Sequence, residues 1–256
     1  MIKSYVINLD KDTERLQFFS ENFKRLGLEF ERISAVNGRN YYEQDYQEFM
    51  RLRPRNNKSW LRGQMGCFLS HFTAWELIAN GSEEFCAVFE DDVHVSDDLK
   101  NILADKSWIP ADADVIRLET STNRIRLSTS PLIEHSGRTA YKVMSTSWNA
   151  GAYILSRKTA KKLIALPPAQ HQPSDILLFH FTESPLVNQL QILQFHPALC
   201  TQDKHHANST NQFASNIEFS DADVSRLVAK IKNYTPKNIW QSLRKSSQGY
   251  KRIGFQ

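Results

Sequence analysis

The stretch Phe85-Cys86-Ala87-Val88-Phe89-Glu90-Asp91-Asp92-Val93 decides how this chain is read. Five apolar residues end abruptly in three consecutive carboxylates. A short apolar run bounded by polar residues predicts a buried strand. Adjacent acids repel one another and favour protonation unless something positive or well hydrated compensates them. A divalent cation is one remedy, because carboxylates are the ligands that Mg²⁺ and Mn²⁺ prefer. A solvated acidic turn continuing through His94, Asp97 and Asp98 is the other. In open α/β sheets ligands bind at the carboxyl ends of strands, where these acids fall.

Upstream, residues 64–80 place Phe68, Phe72, Trp75 and Ile78 on one apolar side and predict a helix closed by Asn80-Gly81. Residues 4–9 read as a first strand. Asp10 and Asp12 offer helix caps, and Leu16, Phe19, Phe23 and Leu26 recur at helical spacing up to Gly27. Residues 28–33 alternate apolar and polar as a second strand, ending in the turn Ala35-Val36-Asn37-Gly38. This β-α-β opening implies a parallel pair and the α/β class. Residues 40–58, with Arg51, Arg53 and Arg55, read as a short helix and an exposed loop.

Downstream, a short helix is expected over 99–104 and a strand over 114–119. A hairpin over 132–145 turns at Ser136-Gly137, and residues 151–155 form a further strand. Ser156 caps a helix that Pro167-Pro168 end, and Pro173-Ser174-Asp175 open a helical turn reaching Phe179. Residues 191–195 are expected as the last core strand.

The 256 residues suffice for one large α/β domain, and the composition is that of an ordinary globular protein. A net charge of +4 does not by itself argue for nucleic acid, and none is expected as a partner. The charge is unevenly spread. No acid follows Asp223, whereas Arg226, Lys230, Lys232, Lys237, Arg244, Lys245, Lys251 and Arg252 do. We therefore divide the chain into a domain over 1–208 and a partly helical basic tail over 209–256, suited to an anionic membrane surface or acceptor. Cys67, Cys86 and Cys200 form neither a C-x-x-C pair nor a disulfide framework and read as small core residues. The amino terminus lacks the plan of a signal peptide, and no run approaches membrane-spanning length. The expected location is cytoplasmic, with any contact to the inner face of the bacterial inner membrane peripheral.

No phosphate-binding loop of the form G-x-x-x-x-G-K followed by Ser or Thr occurs, and no G-x-G-x-x-G follows the first strand. H-E-x-x-H and G-x-S-x-G are also absent. What remains is an α/β sheet with acids at a strand end.

Six segments then fall in one order: Val6-Ile7-Asn8-Leu9-Asp10 with Arg15; Ala35-Val36-Asn37-Gly38; Gly63-Gln64-Met65-Gly66-Cys67-Phe68-Leu69-Ser70-His71 with Trp75; Phe89-Glu90-Asp91-Asp92; Gly151-Ala152-Tyr153-Ile154-Leu155-Ser156; and Pro197-Ala198-Leu199-Cys200-Thr201-Gln202. This series resembles glycosyltransferase family 25, the family of bacterial lipooligosaccharide galactosyltransferases. The resemblance covers roughly the first 200 residues. Asn37 stands where many relatives carry Asp.

The resemblance implies a single GT-A type domain with a Rossmann-like mixed sheet and flanking helices. It also implies a UDP-sugar donor, a divalent metal (Mn²⁺ or Mg²⁺), and inverting transfer of a hexose to a lipooligosaccharide or lipopolysaccharide core sugar. Galactose is the expected hexose and glucose the alternative; a non-catalytic sugar-binding protein is the alternative of a different class. Asp92, Glu90 and Asp91 become metal candidates, Asp92 foremost, since a cation bridging a diphosphate stabilises the departing charge. His196, Gln202 and His206 are available for a further metal or phosphate contact. Asn8, Leu9, Arg15, Asn37, Ser70, His71, Glu90 and Asp91 would bind the donor. Asp175 is the first candidate for the base that inverting transfer requires, and Glu119 the reserve.

Overall fold

A computed structural model describes residues 1–53, 60–121, 123–206 and 249–256. The predicted opening is present. Strand β1 (Lys3–Asn8) leads into helix α1 (Thr13–Arg25), and β2 (Glu31–Ser34) returns parallel to β1. Gly27 ends the helix with φ +68°, a conformation a side chain would strain. The expected caps differ. Asp12 occupies the N-cap position without a side-chain cap bond, and Asp10 instead accepts from Arg32 and Ser34.

Helices α2 (Glu43–Arg51) and α3 (Arg62–Asn80) follow, then the acidic strand β3 (Phe85–Glu90), which pairs parallel with β1. Arg51 pairs with Glu48 on its own helix, and Arg53 lies on the Phe49 ring; Arg55 falls outside the described residues. After β4 (Val93–Val95) and α4 (Leu99–Leu103) come β5 (Val115–Arg117), β6 (Glu119–Thr120) and β7 (Arg124–Arg126). The single strand expected over 114–119 is thus split between two sheets. The hairpin β8 (Ile133–His135) and β9 (Arg138–Lys142) turns at Ser136 and Gly137, both at positive φ.

Strand β10 (Ala152–Ser156) leads into α5 (Arg157–Ile164), where Ser156 accepts from the Thr159 amide as the predicted cap. Helix α6 (Ser174–Phe179) precedes β11 (Ile192–His196), β12 (Cys200–Gln202) and β13 (Tyr250–Arg252).

The main sheet has the order β2-β1-β3-β10-β5-β11-β9-β8, with β10 and β9 antiparallel to their neighbours. This is the expected mixed α/β sheet with flanking helices. Both faces are covered, which is why its central strands read as continuous apolar runs. Side chains alternate between the faces. Tyr5, Val88, Tyr153 and Leu155 join Met65, Phe68 and Trp75 of α3 in one core; Val6, Phe89 and Ile154 join Phe19 and Phe23 of α1 in the other. Glu90 shares the parity of Val88 and so emerges on the α3 side.

A smaller sheet, β4-β12-β6, sits beyond the acids. Residues 249–256, expected as the end of a basic tail, pack on the domain. Strand β13 pairs with β7, Ile253 is buried, and Arg138 donates to the Gln256 carbonyl. The rest of the predicted tail lies outside the described residues.

Candidate active site

The carboxyl ends of β1 and β3 lie side by side, because the two strands are in parallel register from Lys3↔Cys86 to Ile7↔Glu90. A cleft of about 870 Å³, open to solvent, lies there. Its wall includes Leu9, Arg15, Asn37, Ser70, His71, Glu90, Asp91 and Asp92, all named from the sequence. Asn8, buried beneath it, acts through Asp91.

The three acids have three environments. Asp91 accepts from Asn8 Nδ2 at 2.7 Å and from Arg15 Nη1 at 3.0 Å. Arg15 therefore reaches from α1 across to β3. Burial pushes the Asp91 carboxyl up, with Arg15 and the Asn8 hydrogen bond working against it. Burial also opposes the charge on Arg15, yet Asp92 and Asp91 together raise its pKa.

Glu90 accepts from Gln202 Nε2 at 2.6 Å and contacts His71 Nε2 at 3.3 Å. Burial disfavours its charge, but the His71 hydrogen bond and the surrounding cations hold its carboxyl below the usual range. The relay behind it is fully buried. Trp75 Nε1, a donor alone, gives its proton to Tyr153 Oη at 2.9 Å, and Tyr153 Oη lies 2.9 Å from His71 Nδ1. Glu90, held ionised, can only accept, so His71 presents Nε2–H to it.

Asp92 has the least compensation. Arg15 Nη1 lies 3.9 Å away and Gln202 Nε2 at 3.4 Å. Burial, then the charge of Glu90, push its pKa up to about 7. A buried carboxyl in that state gains from a cation, and hard oxygen donors match Mg²⁺ or Mn²⁺. Asp92 and Glu90 fit such an ion, while Asp91 is committed to Asn8 and Arg15. Cys67 Sγ, His71 and Glu90 also place ligand atoms within 4.8 Å of one another. However, burial keeps the Cys67 thiol protonated, and it donates to Glu90 at 3.9 Å. His71 has both nitrogens engaged, so this trio supports Glu90.

The floor of the cleft is made by a close crossing. A Cβ on Gly38 would lie 1.8 Å from the Arg62 carbonyl oxygen, and one on Gly66 2.5 Å from that of Val36. Ser70 Oγ accepts from the Val36 amide at 2.8 Å and donates to Gly66 O. Ser70 thus fixes the 35–38 turn to α3. Asn37 uses Oδ1 to accept from the Arg39 amide while lining the cleft.

The remaining calls separate. Asp175 lines a second chamber of about 560 Å³ together with Gln64, Asn149, Pro173 and Ser174. Cys67, Glu90, Gln202 and Lys204 line both chambers and form their common wall. Asp175 opens α6 within its first turn but is not the cap; it accepts from the Ile176 amide at 2.9 Å and the Asn149 amide at 3.4 Å. Burial raises its pKa.

Glu119 lines neither chamber. It is fully buried, accepts from the Gly151 amide at 2.7 Å, and burial pushes its pKa up to about 8. Gly151 O in turn accepts from the Glu90 amide, so Glu119 braces the acidic strand from behind. The structure does not bring His196 to the acids. It pairs with Thr139 of β9, outside both linings, and burial and Lys251 depress its pKa. Of the three residues offered for this role, Gln202 lines both chambers, joined by Lys204, and His206 lines neither. Lys204 was not legible because its placement depends on long-range pairing. Strand β12 pairs antiparallel with β4, and Asp203 N–H donates to Asp92 O at 2.8 Å.

A cleft of acids, arginine and lysine thus lies at parallel strand ends and adjoins a second, polar chamber. The family profile described as "Glycosyltransferase family 25 (LPS biosynthesis protein)" matches residues 1–178. The chain belongs to that family and is a glycosyltransferase. It is 28% identical to the lacto-N-neotetraose biosynthesis glycosyltransferase LgtB of Neisseria meningitidis serogroup B, over 82% of this chain and 79% of that protein. It is 25% identical to the lipooligosaccharide biosynthesis protein lic2B of Haemophilus influenzae, over 78% and 76%. Among solved structures, a glycosyltransferase involved in glycosylation of the major capsid of PBCV-1 aligns with a TM-score of 0.41 at 12% identity, over 78% of this chain and 91% of that one.

Proposed function

We propose that the protein transfers a hexose, galactose first and glucose as the alternative, from a UDP-sugar to a core sugar of lipooligosaccharide or lipopolysaccharide, with inversion. The observation that carries this is the wall of Glu90, Gln202 and Lys204 shared by the two chambers. It separates an acid-rich cleft from a chamber that ends in a carboxylate. Leu9, Asn37 and the 35–38 turn hold the nucleoside, with Arg15, Lys204 and the acids around its diphosphate. Asp92 and Glu90 would hold a divalent cation, which supplies charge neutralisation of the departing diphosphate.

Asp175 takes the proton of the acceptor hydroxyl. Its burial-raised pKa suits a base that must accept a proton near neutral pH. The inverting geometry needs the base across the sugar from the leaving group, and Asp175 lies in the chamber beyond the shared wall. The relative lic2B is named for lipooligosaccharide biosynthesis and LgtB for lacto-N-neotetraose biosynthesis, which supports a saccharide acceptor of this class. Basic residues beyond Asp223 suit an anionic glycolipid or the inner membrane surface that carries it. No helix among the described residues is long and apolar enough to cross a membrane.

The test is a transfer assay with labelled UDP-galactose and UDP-glucose on delipidated lipooligosaccharide, with and without Mn²⁺. Anomer-resolved product from one donor, abolished by Asp92→Ala, is expected. Undiminished transfer by Asp92→Ala would remove the acids from the account.

A further inference from the structure

We propose that the second chamber is the subsite for the transferred hexose, and that Ser174 recognises one of its hydroxyls. This rests on the UDP-sugar reading above and adds where the sugar lies and what reads it.

The chamber adjoins the nucleotide cleft through Cys67, Glu90, Gln202 and Lys204. A molecule with a nucleoside at one end, a sugar at the other and a diphosphate between them would place the diphosphate at that wall. The sugar then lies between the wall and Asp175. This places the carboxylate across the sugar from the leaving group, as an inverting displacement requires.

Most polar groups of the chamber are already committed. Gln64 Oε1 accepts from the Leu61 amide, Asn149 Nδ2 donates to Gln202, and both Asp175 oxygens accept from backbone amides. Ser174 differs. It is 2% exposed and its Oγ has no hydrogen-bond partner of acceptable geometry among the described residues, although it lies beside the Cys67 thiol, a weak partner at best. A buried hydroxyl without a partner is unfavourable, and native structures pair nearly all of them. A sugar hydroxyl is a matching partner, because both groups donate and accept. Ser174 also directly precedes Asp175 on α6, so one turn carries the reader of the sugar and the proposed base. Recognition by a buried polar group discriminates more sharply than a hydrophobic pocket does, because the wrong ligand leaves that group unpaired.

The experiment compares wild type and Ser174→Ala by calorimetric titration with UDP, UDP-galactose and UDP-glucose in the presence of Mn²⁺, alongside the melting temperature of each ligand-free protein. The expected result has three parts. Ligand-free Ser174→Ala melts at or above wild type, because the deleted hydroxyl has no partner. UDP affinity is unchanged. The extra affinity that the preferred hexose adds over UDP falls roughly tenfold. Full retention of that increment in Ser174→Ala overturns the subsite, as does a wild type that binds UDP-hexose no better than UDP; in either case UDP binding leaves the nucleotide reading standing. A variant that melts lower and loses UDP and UDP-hexose affinity together shows a structural serine and also overturns it. No UDP binding by wild type overturns the nucleotide-sugar reading and the subsite with it.

Discussion

Gln202 Nε2 donates to Glu90 Oε2 at 2.6 Å, across 112 positions of sequence. The same nitrogen lies 3.4 Å from Asp92 Oδ1, and Gln202 Oε1 accepts from Asn149 at 2.8 Å. One amide therefore moderates two carboxylates and anchors the second chamber. Gln202→Ala leaves Glu90 short of a donor and Asn149 short of an acceptor, and is expected to destabilise by about 1–3 kcal/mol in urea unfolding. Gln202→Glu replaces the donor with a further negative charge and is expected to be worse than alanine in the absence of divalent cation. A glutamate variant as stable as wild type in metal-free buffer contradicts this role.

The pH dependence of stability follows from Asp92 and Glu119. Burial lifts their folded-state pKa values to about 7 and about 8, above those of the unfolded chain. From about pH 4 upward the unfolded chain has released protons that the folded chain still holds. Stability therefore falls as pH rises through these folded-state values. Melting temperature in metal-free buffer is expected to decline between about pH 5 and about pH 8.5. Asp92→Asn should flatten the part ending near 7 and Glu119→Gln the part ending near 8. Parallel curves for wild type and both variants would show that these carboxyls are not strained in the fold.

The crossing beneath the cleft gives a steric prediction. A methyl group on Gly38 meets the Arg62 carbonyl at 1.8 Å, and one on Gly66 meets Gly38 N at 2.7 Å. These neighbours are backbone and cannot rotate away. Gly38→Ala and Gly66→Ala should each lose about 1–3 kcal/mol and weaken UDP binding, because the 35–38 turn must lift from α3. Gly137→Ala, with nothing within 4 Å of its added carbon, serves as a control. It should lose about 1 kcal/mol from its positive φ alone and bind UDP normally. Unchanged UDP affinity in the Gly38 and Gly66 variants would detach the turn from the donor site.

Asp175→Asn keeps the shape of the side chain and removes its basicity. The expected result is a fall in kcat of about 10²–10⁴-fold with UDP-sugar affinity retained. A variant with wild-type kcat assigns the proton transfer elsewhere. Glu119→Gln is the informative companion, since Glu119 reaches neither chamber and should act through stability and the placement of Glu90.

Much of the sheet was legible because its signals are local. The apolar run of β3 and the period-3.6 face of α1 appear in any short window, and so does the Ser136-Gly137 turn. The acids and Arg15, Asn37 and His71 were legible as a set through their ordered segments. Their partners were not. Nothing local joins Arg15 to Asp91, and the parallel register of β1 and β3 brings the two together. Ser70 carries no sign in sequence that it pins the Val36 amide. His196 ends β11 and Lys204 lies eight positions further on, and the pairing of β12 with β4 brings Lys204 to the cleft. Glu119 looked like a strand-end acid, yet the split into β5 and β6 buries it behind Gly151.

The role proposed for Glu90 and Asp92 is to hold a cation that lets this cleft take a sugar nucleotide. Its most direct test is the melting temperature of wild type and Asp92→Asn with UDP-galactose, with and without Mn²⁺. UDP-galactose and Mn²⁺ together are expected to stabilise wild type by more than the sum of their separate effects, and Asp92→Asn to abolish this synergy. Equal synergy in wild type and variant, or none in wild type with any UDP-hexose, would contradict it.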